Sequence, residues 1–419
     1  MTLSRAADTI LKQGEETMRS ALLAIGCFAL GISGCAAIGA EPDPRLGRTL
    51  VDNAIDETVA RGAFPFLYAR VEKLDGSVVY EHDAINAEFA PTPPTGESWM
   101  RLWSMSKSVT IAIILDLEED GILSRSDLLT DYIPEFADLM VHSAGADTAA
   151  CDSGLKPPSR PITVEDLLNH NDGFYYPFTG YACLDDAMKA ARLPEAVSSA
   201  DLIDRIAALA LHPDGVGEHV YGMGTTILSL VAERATGQSF DEIVEARLTG
   251  PLGISETLKY TLPAGISTYP RVSGSDGALR RAKDEELDIF GGPVPEYRSD
   301  TNVFFGGEGM VGTTRAYATF LRMMGSMGEL DGVRVLNEAT VRDWYAPKTQ
   351  LDSEYGKNGF NIWVTSGKFD GLPDQKPGLL VGGGYEGTAF WIALDAGYVG
   401  LIMSQVHSPV TGGVDEVSR

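Results

Sequence analysis

The sequence predicts an α/β fold: an antiparallel sheet of N- and C-terminal strands, flanked by helices, with a helical region of about residues 120–290 inserted between them. Three observations lead there. Residues 63–82 (AFPFLYARVEKLDGSVVYEH) hold two apolar runs around Asp75-Gly76, the pattern of a β-hairpin. Residues 388–394 (TAFWIAL) and 398–404 (YVGLIMS) flank Asp395-Ala396-Gly397 and read as a second hairpin. The long apolar segments between these two pairs have helical spacing rather than strand alternation.

Taken in chain order, the first feature is an address. Residues 20–34 (SALLAIGCFALGISG) are uncharged, follow Arg19, and are too short to cross a membrane comfortably. They end in Ile32-Ser33-Gly34-Cys35, which resembles a bacterial lipobox, where the chain is cut before the cysteine and the cysteine receives lipid. Residues 1–34 are therefore expected to be a lipoprotein signal peptide. Asp8, Glu15 and Glu16 do not suit its basic end, so Met18 is the expected start. Residues 35–44 read as a tether and 45–419 as the folded domain. This predicts an exported bacterial lipoprotein, held by a lipid anchor on the periplasmic face of a membrane, the outer membrane. Of four cysteines, Cys27 leaves with the signal and Cys35 is lipidated, which leaves Cys151 and Cys183 as a candidate disulfide in an oxidising compartment.

Residues 104–119 form an apolar helix stopped by Gly121. Thr163 opens a short helix over 162–168; 225–236 and 240–248 are helical and separated by Gly237; 315–327 is another helix. Residues 262–300 are rich in Gly, Pro and charge, and are expected to cover or rim a site.

The chain has 33 Lys+Arg against 59 Asp+Glu, a net charge of −26 that repels phosphate backbones and excludes nucleic acid as a partner. Removing residues 1–34 takes away three charges of each sign and leaves the balance at −26. No CxxC or HExxH spacing occurs, so neither a metal nor an organic cofactor is expected. Nothing in the sequence specifies an oligomeric state.

Ser104-Met105-Ser106-Lys107 is an S-x-x-K motif. Ser153-Gly154-Leu155-Lys156 matches as well, but Gly154 and Pro157-Pro158 break any helix there, whereas Ser104 opens a strongly apolar one. On a helix, residues i and i+3 share a face, so Lys107 points the same way as Ser104. The first turn also offers free backbone N–H groups to an oxyanion. A serine hydroxyl needs a neighbour to take its proton, and a lysine does so only when its pKa is lowered; apolar burial is expected to lower that of Lys107.

Trp103-Ser104-Met105-Ser106-Lys107 and its helix resemble the first motif of the serine β-lactamase-related hydrolases, the group of class C β-lactamases, family VIII esterases and DD-peptidases. The likeness continues through Asp127–Glu135, Leu167–Gly173, Tyr221 with its following helix, Pro251–Ile254, Gly306–Met310 and Gly382–Thr388, in family order from about residue 50 to 405. The resemblance implies the β-lactamase/DD-peptidase-like fold, with the site between sheet and helical region. It implies Ser104 as nucleophile, Lys107 and Tyr221 sharing acid–base work, and an oxyanion hole from the backbone N–H groups of Ser104 and Tyr385. Gly382, Gly383 and Gly384 would line the substrate, and Glu386, beside the oxyanion position, is a candidate substrate contact. His170 falls where the family has a non-catalytic histidine, and His407 reads as structural.

Two positions depart from the pattern. Met223 stands where the second motif has Asn, and Gly382 where the third begins with Lys, His or Trp. Both groups that would hold a substrate carboxylate are missing, although Arg315 is a distant cation that could replace them. The expected substrate is a small ester or amide, and an esterase on small acyl esters is the leading reading. A β-lactamase or D-alanyl-D-alanine carboxypeptidase is the alternative, and a non-hydrolysing binding or sensor lipoprotein is the third.

Overall fold

The computed structural model describes residues 44–143, 154–283, 286, 289–292, 301–348, 352–353, 356–368 and 377–410. The expected signal segment, Cys35, nearly all of the tether and Cys151 lie outside the described residues. Among the described residues, no helix is long and apolar enough to cross a membrane.

The main sheet has eight strands: β1 Phe66–Lys73, β2 Val78–Ile85, β3 Asp352–Ser353, β4 Gly356–Asn358, β5 Trp363–Thr365, β6 Leu380–Gly384, β7 Thr388–Ala393 and β8 Tyr398–Met403. Their spatial order is β3-β4-β5-β6-β7-β8-β1-β2, and every neighbouring pair is antiparallel. The two hairpins read from the sequence therefore join each other. Tyr68 of β1 lies opposite Met403 of β8, and Lys73 opposite Tyr398. The first hairpin turns where Gly76 takes φ +86, and the Asp75 carboxylate accepts the Ser77 N–H at 2.8 Å.

Both faces of this sheet are buried at β1, where successive side chains point to opposite sides and nearly all are covered. Leu67, Ala69 and Val71 face one way, against Val51, Ile55 and Val59 of an α-helix over Pro44–Ala60. The sequence reading had no helix there, although those three residues recur at a four-residue spacing along one helical face. Phe66 and Tyr68 face the other way, into the larger core shared with Phe390, Leu401 and the helix Thr314–Gly325. Each fully buried Leu, Ile or Val side chain contributes roughly 1.5–3 kcal/mol.

The helical region is present, with helices at Leu129–Tyr132, Val164–Leu168, Ala182–Ala191, Ser199–Ala207, Gly224–Thr236 and Phe240–Val244. Thr163 caps the second of these as expected, accepting the Asp166 N–H at 3.3 Å while Asp166 accepts the Thr163 N–H at 2.9 Å. Gly237 ends its helix at φ +74. Within the stretch 262–300, expected to cover or rim a site, lie two short strands, Val272–Ser273 and Arg280–Arg281. The first of them pairs in parallel with Val406–His407.

Three short strands position the site. Trp99–Arg101 pairs with Val311–Thr313, which pairs with Leu258–Lys259. This lays the residues just before Ser104 against the Gly306–Met310 segment, and the Leu102 N–H donates to the Met310 carbonyl at 3.0 Å.

Candidate active site

Ser104 sits in a 3-10 turn, Trp103–Met105, that runs directly into the helix Ser106–Glu119. That helix is buried on nearly every face, so its first turn is held from all sides. Trp103 takes φ +49, a costly conformation for a bulky residue. Tertiary contacts hold it: its indole N–H donates to Glu386 at 2.6 Å, and its ring packs on Tyr385. The Met105 carbonyl accepts the Tyr317 hydroxyl at 2.9 Å, which ties the same turn to the helix under the sheet.

The structure brings Ser104, Lys107 and Tyr221 together. Lys107 Nζ lies 3.2 Å from Ser104 Oγ, and the Tyr221 hydroxyl donates to Ser104 Oγ at 2.9 Å. Lys107 is fully buried, whereas Tyr221 is 38% exposed and opens the site to solvent. Lys107 Nζ also donates to Tyr176 Oη at 2.7 Å, the Gly307 carbonyl at 3.0 Å and Glu308 Oε1 at 3.1 Å. Tyr176 donates to the same Glu308 oxygen, and Thr226 Oγ1 donates to the other at 2.6 Å.

These contacts reverse one expectation. Burial does pull the pKa of Lys107 down, but the Glu308 carboxylate, with Tyr221, outweighs it, and the net shift is upward. Burial, and then Glu308, push the Tyr176 hydroxyl well above its ordinary value. Tyr176, Thr226 and Glu308 were all missed from sequence. The signal that was available is an acidic residue inside a glycine run, Gly306-Gly307-Glu308-Gly309, where nothing but a specific partner justifies a charge.

On the sheet side, Gly382, Gly383 and Gly384 pair with Phe390, Ala389 and Thr388. A Cβ on Gly384 would lie 2.4 Å from the Leu102 carbonyl, so only glycine lets this strand press against the turn that holds Ser104. A Cβ on Gly382 would lie 2.5 Å from the Phe390 ring. The missing third-motif side chain is thus not an empty socket, because a phenyl ring fills its place. Met223 is buried in the core at the start of its helix. Arg315 is exposed and pairs with Glu97.

Glu386 does not face a substrate. Its carboxylate is completely buried, paired with Arg101 through Nε and through Nη2 at 2.6 Å, and with the Trp103 indole. A carboxylate with no exposure needs such donors, and Arg101 on the strand before Ser104 supplies them. Glu386 therefore braces the nucleophile turn and the Tyr385 turn against each other.

His170 is buried, contacts Asn361 through Nε2 at 3.0 Å and packs on the Tyr221 ring. Burial, with His219 and Lys107 nearby, drives its pKa down to about 3, which keeps the ring neutral. His407 packs on Tyr385. Of the expected Cys151–Cys183 pair the described residues hold one: Cys183 is a free thiol near the start of the helix Ala182–Ala191, with Sγ 3.6 Å from His142 Nε2. Cys151 lies outside the described residues. Among the described residues, no cluster of His, Cys, Asp and Glu could hold a metal ion.

A sheet built from both chain ends, with an S-x-x-K helix lying between it and a helical region, defines the class of β-lactamase/DD-peptidase-like serine enzymes. The chain belongs to the family described as Beta-lactamase, which matches residues 51–417. Members of this family are serine hydrolases or acyltransferases, esterases included. Protein Rv1367c of Mycobacterium tuberculosis is 28% identical over 282 residues, 66% of this chain and 67% of that one. The lovastatin esterase of Penicillium rubens is 30% identical over 207 residues, which is 45% of this chain and about half of the relative, 49%. Unliganded simvastatin synthase (LovD) from Aspergillus terreus shares the fold with a TM-score of 0.67 at 18% identity, covering 89% of this chain and 96% of that one.

Proposed function

We propose that the protein is a serine hydrolase that forms an acyl-enzyme on Ser104 and acts on small acyl esters. The observation that carries this reading is the Ser104 hydroxyl held 3.2 Å from Lys107 Nζ and 2.9 Å from Tyr221 Oη at the solvent edge of the site. Ser104 Oγ attacks the ester carbonyl, and its proton passes through the Lys107/Tyr221 pair to the departing alkoxide. The backbone N–H groups of Ser104 and Tyr385 stabilise the oxyanion. Water then attacks the acyl-enzyme by the reverse route.

Substrate preference follows from Gly382 and Met223. β-Lactams and D-alanyl peptides carry a carboxylate beside the scissile amide, and this site has a phenyl ring and a thioether where the family has donors. Two missing contacts at ~1.5 kcal/mol each leave such substrates ~100-fold poorer in kcat/KM. The test is kcat/KM for p-nitrophenyl acetate and butyrate against a chromogenic cephalosporin and a D-Ala-D-Ala peptide on one preparation. Efficient cephalosporin turnover with negligible esterase activity would reject the preference. A fluorophosphonate probe that left Ser104 unlabelled would reject the acyl-enzyme and leave the non-hydrolysing lipoprotein reading.

Acyl transfer to an alcohol in place of water is a second reading, supported by the likeness to simvastatin synthase. It predicts butanol ester formation that competes with hydrolysis. The Ile-Ser-Gly-Cys ending supports a lipid anchor on Cys35 and a periplasmic, outer-membrane location. Expressed from Met18 in a bacterial host, the protein should fractionate with membranes, and Cys35→Ser should release it.

A further inference from the structure

Lys107 has three N–H donors and four acceptors around it, from three separate elements. Ser104 belongs to its own turn, Tyr176 to the loop after the helix Val164–Leu168, and Gly307 and Glu308 to the segment before Val311. Tyr221, on the turn before Gly224, presents its ring 5.3 Å from Nζ. Of the titratable groups packed around the ammonium, His170 adds a neutral ring, and Glu308 is the carboxylate.

Glu308 is held for this contact. Its side chain is 1% exposed and that of Lys107 is 0% exposed. One carboxylate oxygen is shared by Lys107 and Tyr176, and the other takes the Thr226 hydroxyl. Thr226 Oγ1 in turn accepts the Gly307 N–H at 3.0 Å. The neighbouring glycines allow the approach: a Cβ on Gly306 would lie 2.6 Å from Ser229, and one on Gly307 only 3.2 Å from Lys107 Nζ itself. A lone ammonium this deep would shed its proton. An ion pair with both carboxylate oxygens occupied removes the reason to shed it.

We propose that Glu308 is a positioning residue that fixes Lys107 as an ammonium, so that Lys107 steadies Ser104 Oγ by donation and the serine proton travels through Tyr221. This rests on the acyl-enzyme reading above. As the Ser104 Oγ–carbon bond forms, the Oγ proton moves to the Tyr221 oxygen and the carbonyl electron pair moves onto the oxyanion. In the same relay, as Tyr221 takes the Oγ proton it hands its own hydroxyl proton to the leaving oxygen, and the carbon–alkoxide bond breaks. Lys107 keeps its three protons throughout.

The test reads the charge of Lys107 directly, by carbon NMR of protein labelled at the lysine ε-carbon, with its signal assigned by loss in Lys107→Met. In the native protein the signal should hold the ammonium position from about pH 6 to about pH 10. In Glu308→Gln it should titrate at least ~2 pH units lower, because burial is then unopposed. In the same variant kcat should fall ~10-fold or more with KM changing less than ~3-fold, a split that loose packing alone would not give. Thr226→Val keeps the charge and removes one of its holds, so it should shift the signal in the same direction by a smaller amount. It serves as the readout if Glu308→Gln does not fold. A native Lys107 that is neutral near pH 7, or that titrates identically in the native protein and the folded variants, overturns the proposal. Failure of Ser104 labelling would strike only the acyl-enzyme reading, since the NMR titration needs no turnover.

Discussion

Arg101→Met is the sharpest probe of how the nucleophile turn is held. The guanidinium is 3% exposed and gives two N–H groups to Glu386, with further bonds to Thr268 Oγ1 at 2.6 Å and the Tyr269 carbonyl at 2.7 Å. Removing it leaves a fully buried carboxylate whose one side-chain donor among the described residues is the Trp103 indole. Breaking one side of such a pair costs about 3–5 kcal/mol, because the partner is stranded, whereas removing both charges costs much less. Arg101→Met should therefore lower unfolding stability by about 3–5 kcal/mol, and Arg101→Met/Glu386→Leu should recover at least ~1 kcal/mol of it. Urea unfolding of the four proteins of this double-mutant cycle supplies the numbers. Because Glu386→Leu also takes away the partner of the Trp103 indole, kcat/KM should stay low in the double variant even where stability returns. A cycle with no coupling, or full activity in Arg101→Met, would show that the pair neither stabilises nor positions the turn.

Other outcomes are equally direct. Ser104→Ala should abolish ester turnover and Lys107→Ala should lower it by several orders of magnitude, with peptide mapping placing a fluorophosphonate on Ser104 and not on Ser153. Gly382→His should restore the family side chain without creating a β-lactamase, because it collides with Phe390; thermal denaturation should show a loss of about 1–3 kcal/mol, and Phe390→Ala in the same chain should relieve part of it. His170 is neutral when folded, with its pKa lowered from 6.5 to about 3, so the stability it provides is present above about pH 6.5 and is lost as pH falls through that window. His170→Gln should flatten the acid limb of unfolding free energy between about pH 6 and about pH 4, by close to one proton in slope. Thiol titration of the unfolded, unreduced protein should find Cys183 reactive.

The fold was legible where patterns are local. The hairpin around Asp75-Gly76, the cap at Thr163 and the stop at Gly237 depend on residues within a few positions of each other, and each stands where expected. Ser104 and Lys107 are also local, being one helical turn apart. Tyr221 was reachable only through a family pattern, since its approach to Ser104 spans more than 100 residues. The carboxylates were misread for the same reason. Next to an oxyanion turn Glu386 resembles a substrate contact, and nothing near it in the chain announces Arg101. Glu308 lay unnoticed in a glycine run because its partners, Lys107, Tyr176 and Thr226, come from three other regions. Sequence periodicity says that a residue is buried; only the assembled chain says what it is buried against.

The pairing of β1 with β8 has a consequence for how the molecule is made. Tyr68 and Met403 are neighbours in the sheet but about 330 residues apart along the chain. Closing that loop carries an entropy penalty before any contact rewards it, and folding slows accordingly. Until the last strands have been synthesised, the inner edge of the N-terminal hairpin has no partner, and its apolar face, with Phe66 and Tyr68, lacks β8 and Phe390 beside it. Such an edge is open to pairing with other chains. A chain cut between β7 and β8 would leave that edge bare for good. The same late closure keeps a newly made chain loose until its end emerges.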